Sequence, residues 1–346
     1  MAKVLMTGNE AVGEAAIRAG CRFYSGYPIT PQTEILQYLS WRMPEVGGKF
    51  VQAEAELSAV NMLYGAASAG ARTFGSTSGP GFSLMQEGIS YIAAADLPLV
   101  IVNVMREGSG LGNIGASQGD YLQMTKGGGH GDYHTIVLAP ANVQESADMM
   151  VLGFDLAEKY LHPVLIATDA AIGQMVEGVE LPDFITHDID KFDWAVRGCK
   201  KGDKPRTIQN IYFMDDNYEQ HLREKYARMV ENEQRWESIE VEDADIVLVS
   251  YGISSRLCKE AIKIARKEGF KLGLIRLITL WPFPEKAFAE VNPDVKGYLS
   301  VEMSTIGQVK DDIRLATGCT KLVDNYGSMM ELPEPEGIIE KAKSML

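Results

Sequence analysis

Short apolar runs alternate along this chain with longer stretches in which apolar residues return every three or four positions. Residues 22–26, 49–51, 71–75, 97–104, 135–138 and 163–167 read as strands, and residues 12–19, 31–41, 54–69, 82–94 and 143–160 as helices. The 97–104 run, Leu97-Pro98-Leu99-Val100-Ile101-Val102-Asn103-Val104, has the pattern of a strand buried on both faces. Strands separated by helices of this length imply crossover connections, and so a parallel sheet covered on both sides.

From residue 173 to 238 the alternation breaks. Charged and turn residues dominate 183–207, and 218–236 reads as a highly charged helix, the kind that bridges domains or packs on a partner. A second unit of the first type follows. Its strands are 244–250, 271–277 and 297–301, and its helices are 255–268, 308–316 and 335–345, with a turn at Trp281-Pro282-Phe283-Pro284. The expected architecture is α/β, with two doubly wound parallel-sheet domains at 1–172 and 239–346. A linker and bridging helix at 173–238 joins them. A length of 346 residues agrees with two domains of roughly 100–200 residues.

Composition narrows the function classes. A formal net charge of −14 repels phosphate backbones, so nucleic acid is not an expected partner. No apolar run reaches the roughly 18 residues of a membrane span. The start carries no signal peptide, with Lys3 followed at once by strand-like Val4-Leu5-Met6, and the cytoplasm is the expected compartment. Four cysteines, Cys21, Cys199, Cys258 and Cys319, are scattered without any Cys-x-x-Cys. Neither a disulfide framework nor a zinc or iron–sulfur site is expected from this chain alone.

Candidate chemistry gathers where strands hand over to helices. Tyr27-Pro28-Ile29-Thr30-Pro31 ends one strand, and Thr30-Pro31 reads as an N-cap followed by proline in the first helical turn. The cap is either purely structural or also a place where free amides and the hydroxyl receive a carboxylate. Gln52-Ala53-Glu54-Ala55-Glu56 puts two glutamates in the first turn of the next helix. Each is either a solvated charge favoured by the helix dipole or a site acid, and spacing does not choose between them. Ala53, Ala55 and Ala59 leave room for something flat. Thr77-Ser78-Gly79-Pro80-Gly81 is another strand-to-helix turn in which Ser78 can cap. Arg106 closes the most apolar strand; it either captures a carboxylate or pairs with a neighbouring acid. His130 and His134 lie in glycine-rich sequence that will not hold a helix, so a metal pair is not expected and the segment reads as a loop lining the site.

Together these motifs resemble the alpha subunit of the 2-oxoacid:ferredoxin oxidoreductase family over nearly the whole chain. The 27–31 turn is similar to the family's signature turn. Glu56, with Gly65-Ala66 nine residues on, is similar to the glutamate of the thiamine diphosphate pyrimidine-binding domain. Thr77-Ser78-Gly79-Pro80-Gly81-Phe82-Ser83-Leu84-Met85 is another close match. Ile275-Arg276-Leu277-Ile278-Thr279-Leu280-Trp281-Pro282-Phe283-Pro284 looks like the hallmark of the transketolase-type C-terminal domain.

The resemblance implies a thiamine diphosphate-binding fold followed by a transketolase C-terminal-like domain. It favours Glu56 over Glu54 as the catalytic acid that hydrogen-bonds the cofactor's aminopyrimidine. Tyr27, Pro28 and Ile29, with Thr77, Ser78 and Gly79, would line that ring, while Thr30 and Arg106 would bind the substrate carboxylate. The activity implied is oxidative decarboxylation of a 2-oxoacid to an acyl-coenzyme A, with electrons passing to ferredoxin. The chain has no Asp-Gly dipeptide, so the usual magnesium and diphosphate motif is missing, as are cluster-binding cysteine runs. By resemblance the former belongs to a beta subunit and the iron–sulfur clusters to ferredoxin-like gamma and delta subunits; no metal site is expected here. Gly110-Leu111-Gly112-Asn113-Ile114, with 127–133, is more similar to branched-chain (2-oxoisovalerate) members than to 2-oxoglutarate members. Competing readings are 2-oxoglutarate or pyruvate as substrate, a non-catalytic assembly module of the same fold, and a thiamine enzyme using NAD through a lipoyl carrier.

Overall fold

A computed structural model describes residues 3–189, 192–202, 206–211 and 217–346. Parts of the 173–238 connection, at 190–191, 203–205 and 212–216, therefore lie outside the described residues.

The N-terminal part runs β1 (Val4–Thr7), α1 (Gly8–Arg18), β2 (Phe23–Gly26), α2 (Thr33–Glu45), β3 (Lys49–Gln52), α3 (Glu56–Ser68), β4 (Thr73–Thr77), α4 (Pro80–Ala94), β5 (Leu99–Met105), α5 (Tyr121–Thr125), β6 (Ile136–Leu138), α6 (Val143–Tyr160), β7 (Pro163–Asp169), α7 (Ala170–Gln174) and β8 (Val176–Val179). The C-terminal part runs α8 (Tyr218–Asn232), β9 (Trp236–Ile239), β10 (Ile246–Ser250), α9 (Gly252–Lys267), β11 (Leu272–Leu277), β12 (Thr279–Trp281), β13 (Gly297–Val301), α10 (Lys310–Ala316), β14 (Leu322–Tyr326) and α11 (Pro335–Lys343).

A seven-stranded sheet has the order β12-β6-β7-β5-β4-β2-β3, and a five-stranded sheet the order β14-β13-β10-β11-β9. Within both, the crossover-linked strands are parallel, and the central ones, such as β4, β5, β7, β10 and β13, are buried throughout, as apolar runs joined by helices require. The expected purely parallel sheets gain antiparallel edges: β12 pairs with β6, and β9 with β11. Two further strands cross the boundary expected at residue 172, because β8 pairs antiparallel with β1.

The turn expected at residues 281–284 begins with β12, which leaves the C-terminal half to extend the N-terminal sheet. The Trp281 ring stacks on His134 at 4.7 Å between centroids, which explains why an aromatic strand end seats there. The charged helix stops at Asn232 rather than Trp236, whose strand answers to the edge of β11. The helix packs on the N-terminal half: buried Lys225 reaches Asp96 at 2.5 Å, and Lys159 and Tyr160 reach Glu233 at 2.6 Å.

Alternation along β10 ties the two sheets together. Val247 and Val249 join the core that fills the N-terminal half, whereas Ile246 and Leu248 pack with Cys258, Ile262 and Ile338 of α9 and α11. A period of two in one strand thus serves two cores at once.

Candidate active site

The strand order of the large sheet reverses at β2, with β3 on one side and β4 on the other. Ligands of open parallel sheets collect outside the carboxyl ends of the strands at such a reversal. The 27–31 turn follows β2, Glu56 follows β3, Thr77-Ser78-Gly79 ends β4, and Arg106 follows β5. Four segments distant in sequence are therefore delivered to one crevice.

Glu56 is the first residue of α3 and is only 4% exposed. Its Oε1 and the Thr77 Oγ1 both press on Gly81, where a Cβ would lie 2.2 Å from the first and 2.3 Å from the second. Burial pushes the Glu56 carboxyl above the ordinary carboxylate range, against the opposing pull of its own backbone amide and the Arg106 charge. Glu54 has the opposite surroundings. The helix begins after it, so it is exposed, and it accepts from Ser58 Oγ at 2.6 Å, which lowers its pKa. Where helix α3 starts thus separates two acids that spacing left equivalent. Ala53 and Ala59 are buried in the core and give no room to a ligand.

The 27–31 turn is pinned through its carbonyls. Gln32 Nε2 donates to Tyr27 O at 2.9 Å, Arg106 Nη1 to Thr30 O at 2.8 Å, and Asn9 Nδ2 to Pro31 O at 2.8 Å. Gln32 Oε1 accepts from Ser76 Oγ at 2.6 Å, and that hydroxyl is 2.7 Å from the Tyr24 hydroxyl. Each such bond contributes about 0.5–1.5 kcal/mol net; their joint effect is a turn with little freedom. The Thr30–Pro31 peptide is cis. Thr30 does not cap a helix: α2 starts at Thr33 with Gln32 ahead of it, and Thr30 stays exposed while its carbonyl serves Arg106. Tyr27 is exposed, and Pro28 and Ile29 are half-buried at the crevice edge. Neither Gln32 nor Asn9 sits in a recognisable motif, so nothing local in the sequence marks them.

At the next turn the cap position belongs to Gly79, at φ +48°, rather than to Ser78. A Cβ on Gly79 would lie 3.0 Å from Arg106 Nε. Thr77 Oγ1, Ser78 Oγ and Arg106 Nε are all buried without a hydrogen-bond partner. Leaving a buried polar atom unpaired costs about 1–3 kcal/mol, so three together at one crevice call for a ligand or ordered water as partner. A buried acid, two idle hydroxyls and half-buried apolar edges fit a heteroaromatic ring that both donates and accepts hydrogen bonds.

Arg106 is 7% exposed, and its Nη2 donates to Leu111 O at 2.7 Å. Among the described residues no carboxylate forms a salt bridge with it. A cavity of about 200 Å³ lies beside it, lined by Gly79, Gly108, Leu111, Asp120 and Gln123 among others. Burial pushes the Asp120 carboxyl up, while a hydrogen bond from Asn103 Nδ2 at 2.9 Å and the Arg106 charge pull it down. The 107–113 loop is held by Asn113, whose amide reaches Glu107 O at 2.9 Å and whose side chain reaches Glu107 Oε2 at 2.9 Å. The 127–134 segment contributes nothing to this cavity. It packs on α4, where Gly128 and Gly129 lie against Gln86, and His134 stacks under Trp281. A larger cavity, about 780 Å³, opens between β1, β8, α6 and α9; its Arg256, Lys259 and Arg276 are tied to Glu177, Glu237 and Glu145. It shares no residue with the crevice, and size alone does not make it the site.

Residues 14–240 match the family model of the pyruvate flavodoxin/ferredoxin oxidoreductase thiamine diphosphate-binding domain. The chain belongs to that family. Residues 244–331 match core domain II of pyruvate:ferredoxin oxidoreductase. The family expected from the 27–31 turn, Glu56 and the Trp281-Pro282-Phe283-Pro284 stretch is the one found, and its type is thiamine diphosphate-dependent. The chain is 49% identical over 350 residues to the ketoisovalerate oxidoreductase subunit VorB of Methanothermobacter thermautotrophicus, covering 100% of this chain and 98% of that one. It is 36% identical over 361 residues to the 2-oxoglutarate synthase subunit KorA of Methanocaldococcus jannaschii, covering 95% and 96%. A solved 2-oxoglutarate:ferredoxin oxidoreductase from Magnetococcus marinus, with 2-oxoglutarate, coenzyme A and succinyl-CoA bound, superposes with a TM-score of 0.85 at 27% identity. That match covers 99% of this chain and 65% of the other. A split-gene transketolase shares the fold at a TM-score of 0.61 and 13% identity. Among the described residues no helix is long and apolar enough to cross a membrane.

Proposed function

We propose that this chain supplies the aminopyrimidine half of a thiamine diphosphate site in an oxidoreductase that decarboxylates a 2-oxoacid and transfers the acyl group to coenzyme A. The observation that carries this reading is the buried Glu56 carboxyl, its pKa raised by that burial, with the unpartnered Thr77 and Ser78 hydroxyls beside it. When bound, thiamine diphosphate would supply the carbon nucleophile and the electron sink that decarboxylation of a 2-oxoacid needs. Glu56 would hold the ring through a hydrogen bond and supply a proton there. Thr77, Ser78 and Gly79 would hold the ring, with Tyr27, Pro28 and Ile29 lining the crevice edge. Arg106 and the Thr30 hydroxyl orient the substrate carboxylate.

The site is read as half of a whole because no Asp-Gly dipeptide is present to begin a magnesium and diphosphate motif. Leu57 and Met62 on α3 and Leu84 and Tyr91 on α4, the two helices that start at the crevice, are exposed. Apolar side chains gathered beside a site suit a partner face. A beta partner would hold the diphosphate and its cation there, with ferredoxin-like gamma and delta subunits carrying iron–sulfur clusters and passing electrons to ferredoxin. Cytoplasmic placement and a division into 1–172, 173–238 and 239–346 belong to the same reading.

The substrate proposed is a branched-chain 2-oxoacid such as 2-oxoisovalerate. Two observations support it: the cavity beside Arg106 is lined by no second cation among the described residues, and identity is higher to VorB than to KorA. A second carboxylate, as in 2-oxoglutarate, would lie there without a counter-ion.

Two experiments test the reading. The chain co-expressed with its partner is expected to turn over 2-oxoisovalerate with coenzyme A and a low-potential acceptor in a panel with pyruvate, 2-oxoglutarate and indolepyruvate, whereas the chain alone is inert. Tight cofactor binding and turnover by the isolated chain would sink the half-site. Gly81→Ala sets a methyl 2.2 Å from Glu56 Oε1 and pushes that carboxyl aside, so turnover is expected to fall on the order of 10²-fold without loss of assembly. Unchanged turnover would mean that the Glu56 position does not matter.

A further inference from the structure

Gln118 is fully buried, and each of its polar atoms is bonded to the C-terminal half of the chain. Its amide donates to Met303 O at 2.9 Å, and its carbonyl accepts from the Tyr251 hydroxyl at 3.0 Å. Its Nε2 donates to Tyr251 O at 2.9 Å, while its Oε1 accepts from Ser254 Oγ at 2.7 Å and Met303 N at 2.9 Å. The approach is close enough that Gly252, at φ +56°, would set a Cβ 2.8 Å from Gln118 Nε2.

The neighbours of Gln118 are held from the same side. Ser117 Oγ donates to Met303 O at 3.1 Å, Gln308 Nε2 to Gly119 O at 2.6 Å, and the Tyr121 hydroxyl to Asp312 Oδ2 at 2.6 Å. On its other side the same segment faces the chemistry. Gly119, Asp120 and Gln123 form part of the wall of the cavity beside Arg106. One wall of the cavity is therefore part of the N-terminal fold, and the other is held from both halves: by the C-terminal half through Ser117, Gln118, Gly119 and Tyr121, and by Asn103 and Ser83 through Asp120 and Gln123.

We propose that Gln118 is a positioning residue for 2-oxoacid binding, coupling the C-terminal half to the wall of the substrate cavity. The proposal rests on the reading of that cavity given above. Gln118 touches no reacting atom. Its side chain fits a donor and an acceptor into groups fixed by β10, α9 and the end of β13, and so sets where Gly119 and Asp120 stand relative to Arg106. Removing it leaves Tyr251 O and Met303 N without partners and frees the wall, while Glu56 and the turn after β4 keep their own supports.

The test uses the complete complex, with the α-chain variants Gln118→Ala, Tyr251→Phe and Ser254→Ala. Gln118→Ala is expected to raise the KM for 2-oxoisovalerate roughly 10- to 100-fold, leaving the KM for coenzyme A unchanged. Tyr251→Phe removes only the hydroxyl's donation to Gln118 O, and a rise of about 2- to 30-fold is expected. Combining Gln118→Ala with Ser254→Ala should be no worse than Gln118→Ala alone, because the Ser254 hydroxyl meets the Gln118 side chain, whereas the Tyr251 hydroxyl meets its main-chain carbonyl. Amide hydrogen exchange is expected to quicken over 107–126 and not over 54–60.

Faster exchange with an unchanged 2-oxoacid KM would make Gln118 structural only, and fully additive effects would break the coupling. Should Gln118→Ala fail to assemble, Tyr251→Phe and Ser254→Ala carry the same comparison, and an unchanged KM in both overturns the proposal. A wild-type complex that turns over no 2-oxoacid overturns the reading of the cavity, and this proposal with it. Normal wild-type turnover with an unaltered KM in the variants overturns this proposal alone.

Discussion

Glu56→Gln in the assembled enzyme is expected to slow proton exchange at the C2 carbon of bound thiamine diphosphate by on the order of 10²–10⁴-fold, the span of general acid–base catalysis. The glutamine keeps the shape of the side chain and its seat against Gly81 and Thr77, so the crevice is not emptied. What it loses is the proton that the buried carboxyl shares with the ring. Stability separates this from simple damage. Burial raises the Glu56 pKa above its unfolded value, so the native chain holds that proton to higher pH than the unfolded chain does. Native stability therefore declines as pH rises from the unfolded pKa through the folded one. Glutamine has no such titration. The variant's Tm at neutral pH is expected to equal or exceed that of the wild type even as exchange collapses. Near-normal exchange would remove Glu56 from the chemistry and return attention to Glu54.

Arg106→Ala should weaken 2-oxoacid binding about 10- to 100-fold, the equivalent of one or two hydrogen bonds to a charged group. The loss has two sources. The guanidinium is the charge beside the cavity, and its two terminal nitrogens also tie Thr30 O to Leu111 O across it. Arg106→Lys separates them. A lysine restores the charge but not the planar fork that reaches two carbonyls at once, so recovery is expected to be partial at best. Full recovery by lysine would mean that charge alone matters. Unchanged affinity in the alanine variant, measured as the KM for 2-oxoisovalerate, would leave Arg106 as a brace for the turn.

Much of the site was legible in the sequence because strand-to-helix turns carry their own chemistry. Tyr27 to Pro31, Thr77 to Gly79 and Arg106 each stand at the carboxyl end of a strand that apolar periodicity already marked. The boundaries were less legible. Glu54 and Glu56 both suit a first helical turn, and only the start of α3 at Glu56 shows which one is buried. Thr30 has the chemistry of a cap, yet Gln32 turns back to Tyr27 O and Ser76, and the helix begins beyond it. Ser78 was expected to cap, whereas Gly79 takes that position and leaves the hydroxyl idle.

Taken by itself, the order of residues determined the succession of strands and helices, the α/β class and the strand-to-helix turns at which the candidate acids, hydroxyls and arginine stand. Those follow from local periodicity and turn preferences, which act over a few residues. Tertiary structure decided which side chains lose water and which find partners. Arg106 meets Thr30 across 76 positions, and Gln118 meets Tyr251 across 133 and Met303 across 185. Burial and hydrogen bonding over such separations depend on how sheets stack and edges join, and no local pattern encodes them.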